Sequence, residues 1–274
     1  MSTPPSDATA PIGVFDSGIG GLTVLRAIRH LLPAESTVYF GDTARVPYGP
    51  KSPTTIRRYS LEASDFLLGQ SVKMIVVACN TATAHALAEV AEYAPVPVVG
   101  VVEPGATQAA RHSASGRIGV IGTQGTIESR AYENAIRVLR PDATVFGVAC
   151  PLFVALAEEG WTEGEVARLT AERYLAPLLE RDIDTLVLGC THYPLLEPML
   201  AEVVGTGVDL IDSARATAEA VAEGLERLDL LAPEGEAIAR YYASDDALRF
   251  DELAGRFLGA PVPHLERVSV DTTG

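Results

Sequence analysis

Short apolar runs alternate with amphipathic stretches along almost the whole chain. The apolar runs are rich in Val, Ile and Phe, as expected of buried strands, and the stretches between them repeat apolar residues at helical spacing. This alternation is typical of an α/β fold, in which helices cover mainly parallel sheets. The predicted strands are Ile12–Phe15, Thr37–Phe40, Met74–Ala78, Val96–Val101, Arg117–Ile121, Thr144–Val148, Thr185–Leu188 and Val208–Ile211, and the predicted helices are Gly21–Leu32, Pro53–Leu68, Thr81–Tyr93, Ile127–Leu139, Thr162–Leu179 and Ser213–Leu230.

The first half of the chain resembles the second half. Three motifs recur in the same order and at nearly the same separation, namely IGVFDSG at Ile12 with IGVIGTQG at Ile118, TVYFG at Thr37 with TVFG at Thr144, and IVVACNT around Cys79 with LVLGCTH around Cys190. One such match could arise by chance, but three in order indicate an internal repeat. The repeat predicts two pseudo-symmetric lobes, each with a mainly parallel sheet flanked by helices. The tail after about Ala214 belongs to neither repeat and must pack on one of them.

Polar residues follow several of the predicted strands directly. In parallel α/β sheets, ligands bind beyond the carboxyl ends of the strands. The candidate functional residues at these ends are Asp16, Ser17, Asp42, Thr43, Cys79, Asn80, Thr81, Thr123, Cys190, Thr191 and His192. Two facing lobes would place Cys79 and Cys190 on opposite sides of a shared cleft, and we expect the active site in that cleft.

Cys79 and Cys190 each follow an apolar strand, with a helix start predicted nearby. A helix N-terminus lowers the pKa of a thiol and makes the thiolate accessible near neutral pH. A cysteine beside a strand is otherwise an ordinary small buried residue, but equivalent positions in a repeat favour a shared function for this pair. Cys150 has no partner in the repeat, so we interpret it as structural.

Two matched thiols across a cleft suit the inversion of a stereocentre. One thiolate removes a proton from one face of the substrate, and the opposite thiol returns a proton to the other face. Electrostatic stabilisation of the carbanionic transition state must accompany this transfer. Two other interpretations stay open at this stage. One is a thiol hydrolase with His192 as the base, which leaves the second cysteine unexplained, and the other is a non-catalytic amino-acid-binding protein.

Two loops add polar candidates. DSGIGGLTVL, from Asp16, combines a carboxylate and a hydroxyl with a glycine-rich turn whose amides can face an anion. The turn lacks the third glycine of a dinucleotide fingerprint, and the chain has no Walker A lysine. Asp16 could bind a substrate ammonium group or merely cap a helix. In GDTARVPYGPKSP, from Gly41, Arg45 could meet a substrate carboxylate, although an isolated arginine is more often solvated.

Composition narrows the class of protein. The chain has 274 residues and a formal net charge of −15, which argues against a nucleic-acid partner. No apolar run is long enough for a membrane helix, and the N-terminal MSTPPSDATA does not read as a signal peptide. Three cysteines without metal-binding spacing predict a cytoplasmic protein with reduced thiols and no metal. Only Lys51 and Lys73 could hold pyridoxal phosphate as a Schiff base.

Six segments resemble the glutamate racemase family, in order and over nearly the whole chain. They are DSGIGGLTVL, GDTARVPYG, VVACNTATA, GVVEPGA, VIGTQGTIES and LGCTHYPLL, of which the runs CNTAT and GCTHYPL are the most specific. The resemblance implies an isomerase that interconverts L- and D-glutamate without a cofactor and supplies D-glutamate for peptidoglycan synthesis. It also implies a homodimer. A racemase of aspartate or another amino acid is the nearest alternative, because it would keep both thiols.

The resemblance also implies roles for individual residues. Cys79 would be the base towards D-glutamate, and Cys190 the base towards L-glutamate. The substrate would be held by Asp16, Ser17, Tyr48, Gly49, Asn80, Thr81, Thr191 and His192. Supporting positions would be Asp42, Thr126 and Glu158, although the adjacent Glu159 leaves the last of these open. The final segment would return to the first lobe, which would comprise residues 11–103 and 215–274, with the second lobe at 104–214.

Overall fold

Two β-sheets form the framework of the computed structural model, which describes residues 7–245, 247–262 and 264–270. The first sheet has the strand order β10-β9-β2-β1-β3-β4, and the second has the order β6-β5-β7-β8. All of these pairings are parallel. The strands are β1 Ile12–Asp16, β2 Thr37–Gly41, β3 Met74–Val77, β4 Val98–Gly100, β5 Arg117–Gly122, β6 Thr144–Ala149, β7 Thr185–Gly189, β8 Asp209–Asp212, β9 Ala239–Ala243 and β10 Leu265–Arg267.

Helices connect successive strands, as parallel pairing requires. They are α1 Leu22–Leu31, α2 Pro53–Gly69, α3 Asn80–Tyr93, α4 Val102–His112, α5 Gln124–Glu128, α6 Ala131–Leu139, α7 Leu152–Glu159, α8 Gly164–Leu179, α9 Glu197–Val204, α10 Ser213–Arg227 and α11 Ala247–Leu258. Short 3₁₀ turns cover Thr43–Arg45 and Tyr193–Leu196. No helix in the described part of the chain is long and apolar enough to cross a membrane.

The two sheets share one topology. The order β2-β1-β3-β4 in the first sheet has the same form as β6-β5-β7-β8 in the second. The first strand of each repeat is therefore central, and the third strand lies beside it. This confirms the predicted fold class of two mainly parallel sheets flanked by helices. It also makes β3 and β7, the strands that precede the two repeated cysteines, topologically equivalent.

Alternate residues of the central strands face two different cores. In the first sheet, Val14 and Tyr39 belong to the core under α1, α10 and α11, whereas Phe15 and Phe40 belong to the core under α2 and α3. This is the period of two that a strand imposes on its side chains. Because helices cover both faces, the strands are apolar almost throughout, which is why they stand out in the sequence.

The C-terminal segment extends the first sheet. β9 pairs with β2, so that Tyr241 lies opposite Tyr39, and β10 pairs with β9. α11 packs on α1, and its Phe257 shares the core of Val14. The division of the chain at residues 103/104 and 214/215 stays a prediction.

Two predicted elements were wrong in detail. The predicted helix Ile127–Leu139 is broken into α5 and α6, because Arg130 between them adopts a left-handed conformation with φ of 57°. The predicted strand Val96–Val101 shortens to β4. Pro97, which lacks an amide hydrogen, precedes it and contributes only its carbonyl to the sheet, accepting a bond from Ile75 N.

Several elements escaped the sequence analysis. They are helices α4, α7, α9 and α11, together with strands β9 and β10. The helices α7 and α9 are short, and β10 covers three residues, so none of these repeats a pattern for long enough to stand out.

Candidate active site

Cys79 lies at the carboxyl end of β3 and caps the N-terminus of α3. Its Sγ accepts a hydrogen bond from the amide of Ala82 at 3.4 Å, and it lies 3.5 Å from Ser17 Oγ. The side chain is almost entirely buried, with 6% of the residue exposed. The thiol therefore sits where the sequence predicted it, at a strand end beside a helix start.

The acidity of Cys79 differs from the sequence-based expectation. Burial, followed by the nearby Asp16 carboxylate and the charge of Cys190, raises the pKa of the thiol to about 12. The hydrogen bonds from Ala82 and Ser17 lower the pKa of the thiol, but their combined effect is smaller than that of burial and Asp16. The expectation of a lowered pKa was wrong for Cys79, because the loss of solvation outweighs the helix N-terminus. The protonated thiol is the favoured form of this residue.

Cys190 occupies the equivalent position after β7. Its Sγ lies 3.8 Å from His192 Nδ1, and the residue is 6% exposed. No α-helix begins at this cysteine, since a 3₁₀ turn starts at Tyr193, whose amide donates to Cys190 O. The two thiols thus share a strand position but differ in their partners: a hydroxyl and an amide for Cys79, an imidazole for Cys190.

His192 is enclosed between acidic groups. Its Nε2 lies 3.1 Å from Glu158 Oε1, at the C-terminal end of α7. Burial alone would lower the pKa of this imidazole, but the contacts with Cys190 and Glu158 and the charge of Asp16 together raise the pKa to about 10. The imidazolium is therefore the stable form at neutral pH. Of the two candidate glutamates, Glu158 is the one that contacts His192.

Asp16 lies at the carboxyl end of β1 and is completely buried. Oδ2 accepts a hydrogen bond from Gly18 N at 2.9 Å, whereas Oδ1 has no partner at hydrogen-bond distance and angle, although the Gly21 amide and the Thr191 hydroxyl lie near the carboxylate. Burial raises the pKa of this carboxyl, and the positive charge of His192 opposes the shift. A buried carboxylate oxygen without a donor is costly, so it can be explained by a cationic or hydrogen-bonding ligand at this position.

The loop after β2 holds a network around Asp42. Tyr48 donates its hydroxyl to Asp42 Oδ2 at 2.5 Å, and Ser244 donates to Oδ1 at 2.9 Å. Arg45 Nε donates to the same carboxylate, and the other end of its guanidinium pairs with Glu62. Arg45 is thus engaged by carboxylates of the protein itself, and it supports Asp42 instead of facing a substrate.

Hydroxyl groups from the segments that follow β3 and β5 meet at the start of α3. Thr81 Oγ1 lies 2.8 Å from Thr123 Oγ1 and 3.2 Å from Thr126 Oγ1, and the last two oxygens are 3.1 Å apart. Gly125 N donates to Gly49 O at 3.1 Å. Segments that follow β2, β3 and β5 are therefore joined directly, which brings residues predicted from both halves of the chain into one place.

Asn80 and Thr191 are also tied to the opposite repeat. Asn80 Nδ2 donates to the hydroxyl of Tyr132 at 2.7 Å, and that hydroxyl lies 2.9 Å from Ser213 Oγ. On the other side, Thr23 Oγ1 donates to Thr191 O at 3.0 Å. The residues beside each thiol are thus fixed by hydrogen bonds from across the cleft.

The glycine turn after β1 approaches the second thiol closely. A Cβ added to Gly20 would lie 2.5 Å from His192 Nδ1 and still closer to Thr191 Oγ1. A glycine is required here because any side chain would displace these two residues. The turn is thus more than a tight link between a strand and a helix.

Lys73 is unsuited to a Schiff base. It precedes β3, at the opposite end of the strand from Cys79, and its ammonium lies 2.6 Å from Glu35 Oε2 with both side chains buried.

No group of three or more His, Cys, Asp or Glu side chains in the described residues is arranged to hold a metal ion.

The two predicted thiols lie at the strand ends with different neighbours. Cys79 is surrounded by Ser17, Ala82 and Asp16, and Cys190 by His192. Tyr132, Ser213 and Ser244 were not singled out in the sequence, although they hold Asn80 and Asp42. Their only signal would have been contacts between distant segments, which a single sequence does not reveal.

The arrangement can move protons on two sides of a bound molecule. The two thiols couple electrostatically with each other, and both Cys79 and His192 couple with Asp16. One thiol is held protonated by burial, and the other is paired with an imidazolium. The hydroxyl of Ser17 and the carboxylate of Asp16, which lie near the thiols, provide partners that a small zwitterion needs.

Known proteins are similar to this chain over most of its length. The family model for Asp/Glu/Hydantoin racemases matches residues 12–221. The glutamate racemase of Geobacter metallireducens is 54% identical over 261 residues, which cover 95% of this chain and 97% of the relative.

Solved structures agree with this. Glutamate racemase from Francisella tularensis in complex with D-glutamate superposes with a TM-score of 0.91 at 38% identity, covering 97% of this chain and 99% of that one. The enzyme from Thermus thermophilus in complex with β-chloro-D-alanine gives a TM-score of 0.88 at 50% identity, covering 96% and 98%. The resemblance of the motifs is confirmed, and the chain belongs to the Asp/Glu/Hydantoin racemase family.

Proposed function

We propose that the protein interconverts L- and D-glutamate by proton transfer between Cys79 and Cys190. The observation that carries this proposal is the placement of the two thiols after β3 and β7, which are equivalent strands of a repeated topology. Equivalent acid–base groups are what inversion at a stereocentre needs, because the reaction and its reverse are the same chemistry on opposite faces.

In the direction from L-glutamate, the thiolate of Cys190 removes the α-proton and becomes a thiol. The electron pair of the broken C–H bond stays on the α-carbon and spreads into the α-carboxylate. The thiol of Cys79 then gives its proton to the opposite face, forming D-glutamate and leaving a thiolate. From D-glutamate the same steps run backwards, with Cys79 as the base.

The protonation states of the site support this division. Burial and Asp16 hold Cys79 as a thiol, with a pKa of about 12, so it starts as the acid. His192, whose pKa is about 10, carries a positive charge 3.8 Å from the sulfur of Cys190. With Cys79 as the acid, Cys190 is the base in the reaction from L-glutamate.

Residues around the thiols hold the zwitterion. The unpartnered Oδ1 of Asp16 accepts from the substrate ammonium group. Donors on Asn80, Thr81 and Thr191 receive the carboxylates and stabilise the charge that develops in the transition state. Further contacts come from Ser17, from Tyr48 and Gly49 in the loop after β2, and from His192, with Asp42, Thr126 and Glu158 as support.

The decisive experiment follows L-glutamate in D₂O without an added cofactor. Loss of the α-proton signal in NMR, together with loss of optical rotation, supports the proposal. If glutamate is inert while L-aspartate is racemised, the substrate assignment is wrong and the mechanism stands. A rise in melting temperature without exchange would indicate a binding protein, and inert mixtures without binding would leave a thiol hydrolase as the alternative.

Variants of the three cysteines separate catalysis from structure. Cys79→Ala and Cys190→Ala should each abolish complete racemisation, because each removes the acid or base on one face. Cys150→Ala is the matched control, since Cys150 is also buried but has no equivalent in the other repeat. Racemisation that survives in Cys79→Ala or Cys190→Ala would contradict the two-thiol mechanism.

The biological setting follows from the reaction. D-glutamate made in this way supplies peptidoglycan synthesis, and the enzyme works in the cytoplasm, where its three free thiols stay reduced. We place the substrate between a first lobe of residues 11–103 plus 215–274 and a second lobe of 104–214. The protein acts as a homodimer, which sedimentation of the purified chain would test directly.

A further inference from the structure

We infer that helix α11, in the C-terminal tail outside the repeat, positions His192 and Glu158 for proton transfer at Cys190. This inference rests on the proposed function. It assigns Phe257 and Arg256 as positioning residues, which act on the thiol through its neighbours and do not touch the substrate.

Phe257 contacts the imidazole directly. The rings of Phe257 and His192 are 5.1 Å apart between centroids and nearly perpendicular, at 79°. Phe257 is completely buried, so its ring has a fixed place in the core that α11 forms with α1. An edge-to-face contact of this kind has a defined geometry and limits how the imidazole can turn.

Arg256, the preceding residue, holds the partner of the imidazole. Its guanidinium donates to the backbone carbonyl of Glu158 at the end of α7. Gly160, which ends that helix in a left-handed conformation with φ of 74°, makes room for this contact, since an added Cβ would lie 3.1 Å from Arg256 Cζ. One turn of α11 thus holds both members of the His192–Glu158 pair.

The two contacts come from a segment that belongs to the first sheet. β9 and β10 flank α11 and extend the first sheet, since β9 pairs with β2 and β10 pairs with β9, whereas His192 and Glu158 follow strands of the second sheet. On its other side His192 meets the Gly20 turn, where no side chain fits. The imidazole is therefore packed between the Gly20 turn on one side and α11 on the other.

The test compares Phe257→Leu with Phe250→Leu. Both phenylalanines are buried in α11 and lose the same atoms, but Phe250 packs on Tyr39 instead of His192. Both variants should lose similar thermal stability. Only Phe257→Leu should lower kcat, by roughly tenfold, with KM nearly unchanged, because small displacements of a catalytic group reduce the rate strongly.

Isotope effects distinguish a positioning role from a general loss of structure. In the proposed mechanism Cys190 removes the α-deuteron from L-glutamate, whereas Cys79 removes it from D-glutamate. When proton transfer at Cys190 becomes slower, this step limits the overall rate more strongly for α-deuterated L-glutamate than for α-deuterated D-glutamate. The primary isotope effect should therefore rise for L-glutamate relative to D-glutamate in Phe257→Leu, and stay in the wild-type ratio in Phe250→Leu.

Arg256 provides an independent variant, because its side chain is exposed and its removal should cost little stability. Arg256→Ala should lower kcat with the same shift in isotope effects, and Arg256→Lys should restore part of the rate. NMR of the imidazole signals gives a readout besides activity. The signal of His192, identified by its loss in His192→Gln, should move in Phe257→Leu and not in Phe250→Leu.

Equal kinetics and equal imidazole signals in the two phenylalanine variants would overturn this inference while the wild-type protein still racemises glutamate. Wild-type protein that neither exchanges the α-proton nor racemises glutamate would instead overturn the proposed function, and this inference with it.

Discussion

His192 Nε2 lies 3.1 Å from Glu158 Oε1, inside a site where both thiols are buried. The pair keeps a positive charge beside Cys190, since the contacts with Cys190 and Glu158 outweigh burial and raise the pKa of His192 to about 10. A raised pKa means that the folded protein binds this proton more tightly than the unfolded chain does. The contact between His192 and Glu158 therefore makes the stability of the protein depend on pH.

We expect the free energy of unfolding to fall as pH rises from about 6.5 to about 10, the ordinary and the folded pKa of His192. Over this range the folded state keeps a proton that the unfolded state has lost, so stability decreases with pH, by up to about 1.4 kcal/mol per pH unit. Below pH 6.5 the contribution is fully present. Urea unfolding across this range measures it.

The matched variant is His192→Gln. Its stability should fall less steeply between pH 6.5 and 10, because it has no imidazole to titrate. The buried Cys79 thiol, with its pKa of about 12, adds a similar decrease at alkaline pH, but in both proteins alike. Equal slopes in wild type and His192→Gln would show that the imidazole is not held protonated.

Asp16→Asn should make Cys79 easier to alkylate. After burial, the Asp16 carboxylate is the largest cause of the raised pKa of this thiol, so its neutralisation favours the thiolate. The rate of iodoacetamide labelling at Cys79, followed by mass spectrometry of the peptide, should increase several-fold at pH 8. Cys150, buried elsewhere, reports general loosening, and a parallel increase there would contradict the electrostatic explanation.

Gly20→Ala should reduce activity strongly. Its Cβ would lie 2.5 Å from His192 Nδ1, so the imidazole and Thr191 must shift away. We expect kcat to fall by roughly 10²-fold, the scale of rate loss that a misplaced catalytic group causes. Gly69→Ala is the control, since an added Cβ there meets nothing within 4 Å and the position ends helix α2. That variant should be as active as wild type, and comparable losses in both would refute the steric explanation.

The strand ends of the site could be predicted because two local signals coincide there. Cys79 and Cys190 each follow an apolar run with the length and composition of a buried strand, and the repeat marks them as a pair. The parallel sheets then place such residues at the same edge. Asp16, at the end of β1, is found by the same reasoning.

The partners of these residues could not be predicted in the same way. Phe257 and Arg256 lie in a tail without a repeat, and their contacts with His192 and Glu158 join segments far apart in the chain. Solvation is likewise a property of the folded state. The pKa of Cys79 was therefore predicted with the wrong sign, because the sequence shows the helix start and not the burial.

Breaking the buried pair Lys73–Glu35 should lower the free energy of unfolding far more than breaking an exposed pair. Lys73 Nζ contacts Glu35 Oε2 at 2.6 Å and also donates to the carbonyls of Ala8 and Leu230, so it joins three segments at the base of the first sheet. Lys73→Met leaves the Glu35 carboxylate buried without its cation, and should lower the free energy of unfolding by about 3–5 kcal/mol.

Two comparisons make this prediction specific. In the double variant Lys73→Met with Glu35→Gln, no charge is left unpaired, and Gln can still accept from the amide of Ala232 that now bonds to Glu35 Oε1. The double variant should therefore be more stable than Lys73→Met alone. The exposed pair Arg168–Glu172 on α8 is the control, and Arg168→Met should cost no more than about 0.5 kcal/mol. The explanation by an uncompensated charge is contradicted if Lys73→Met lowers the free energy of unfolding as little as Arg168→Met does. It is also contradicted if adding Glu35→Gln to Lys73→Met lowers that free energy further.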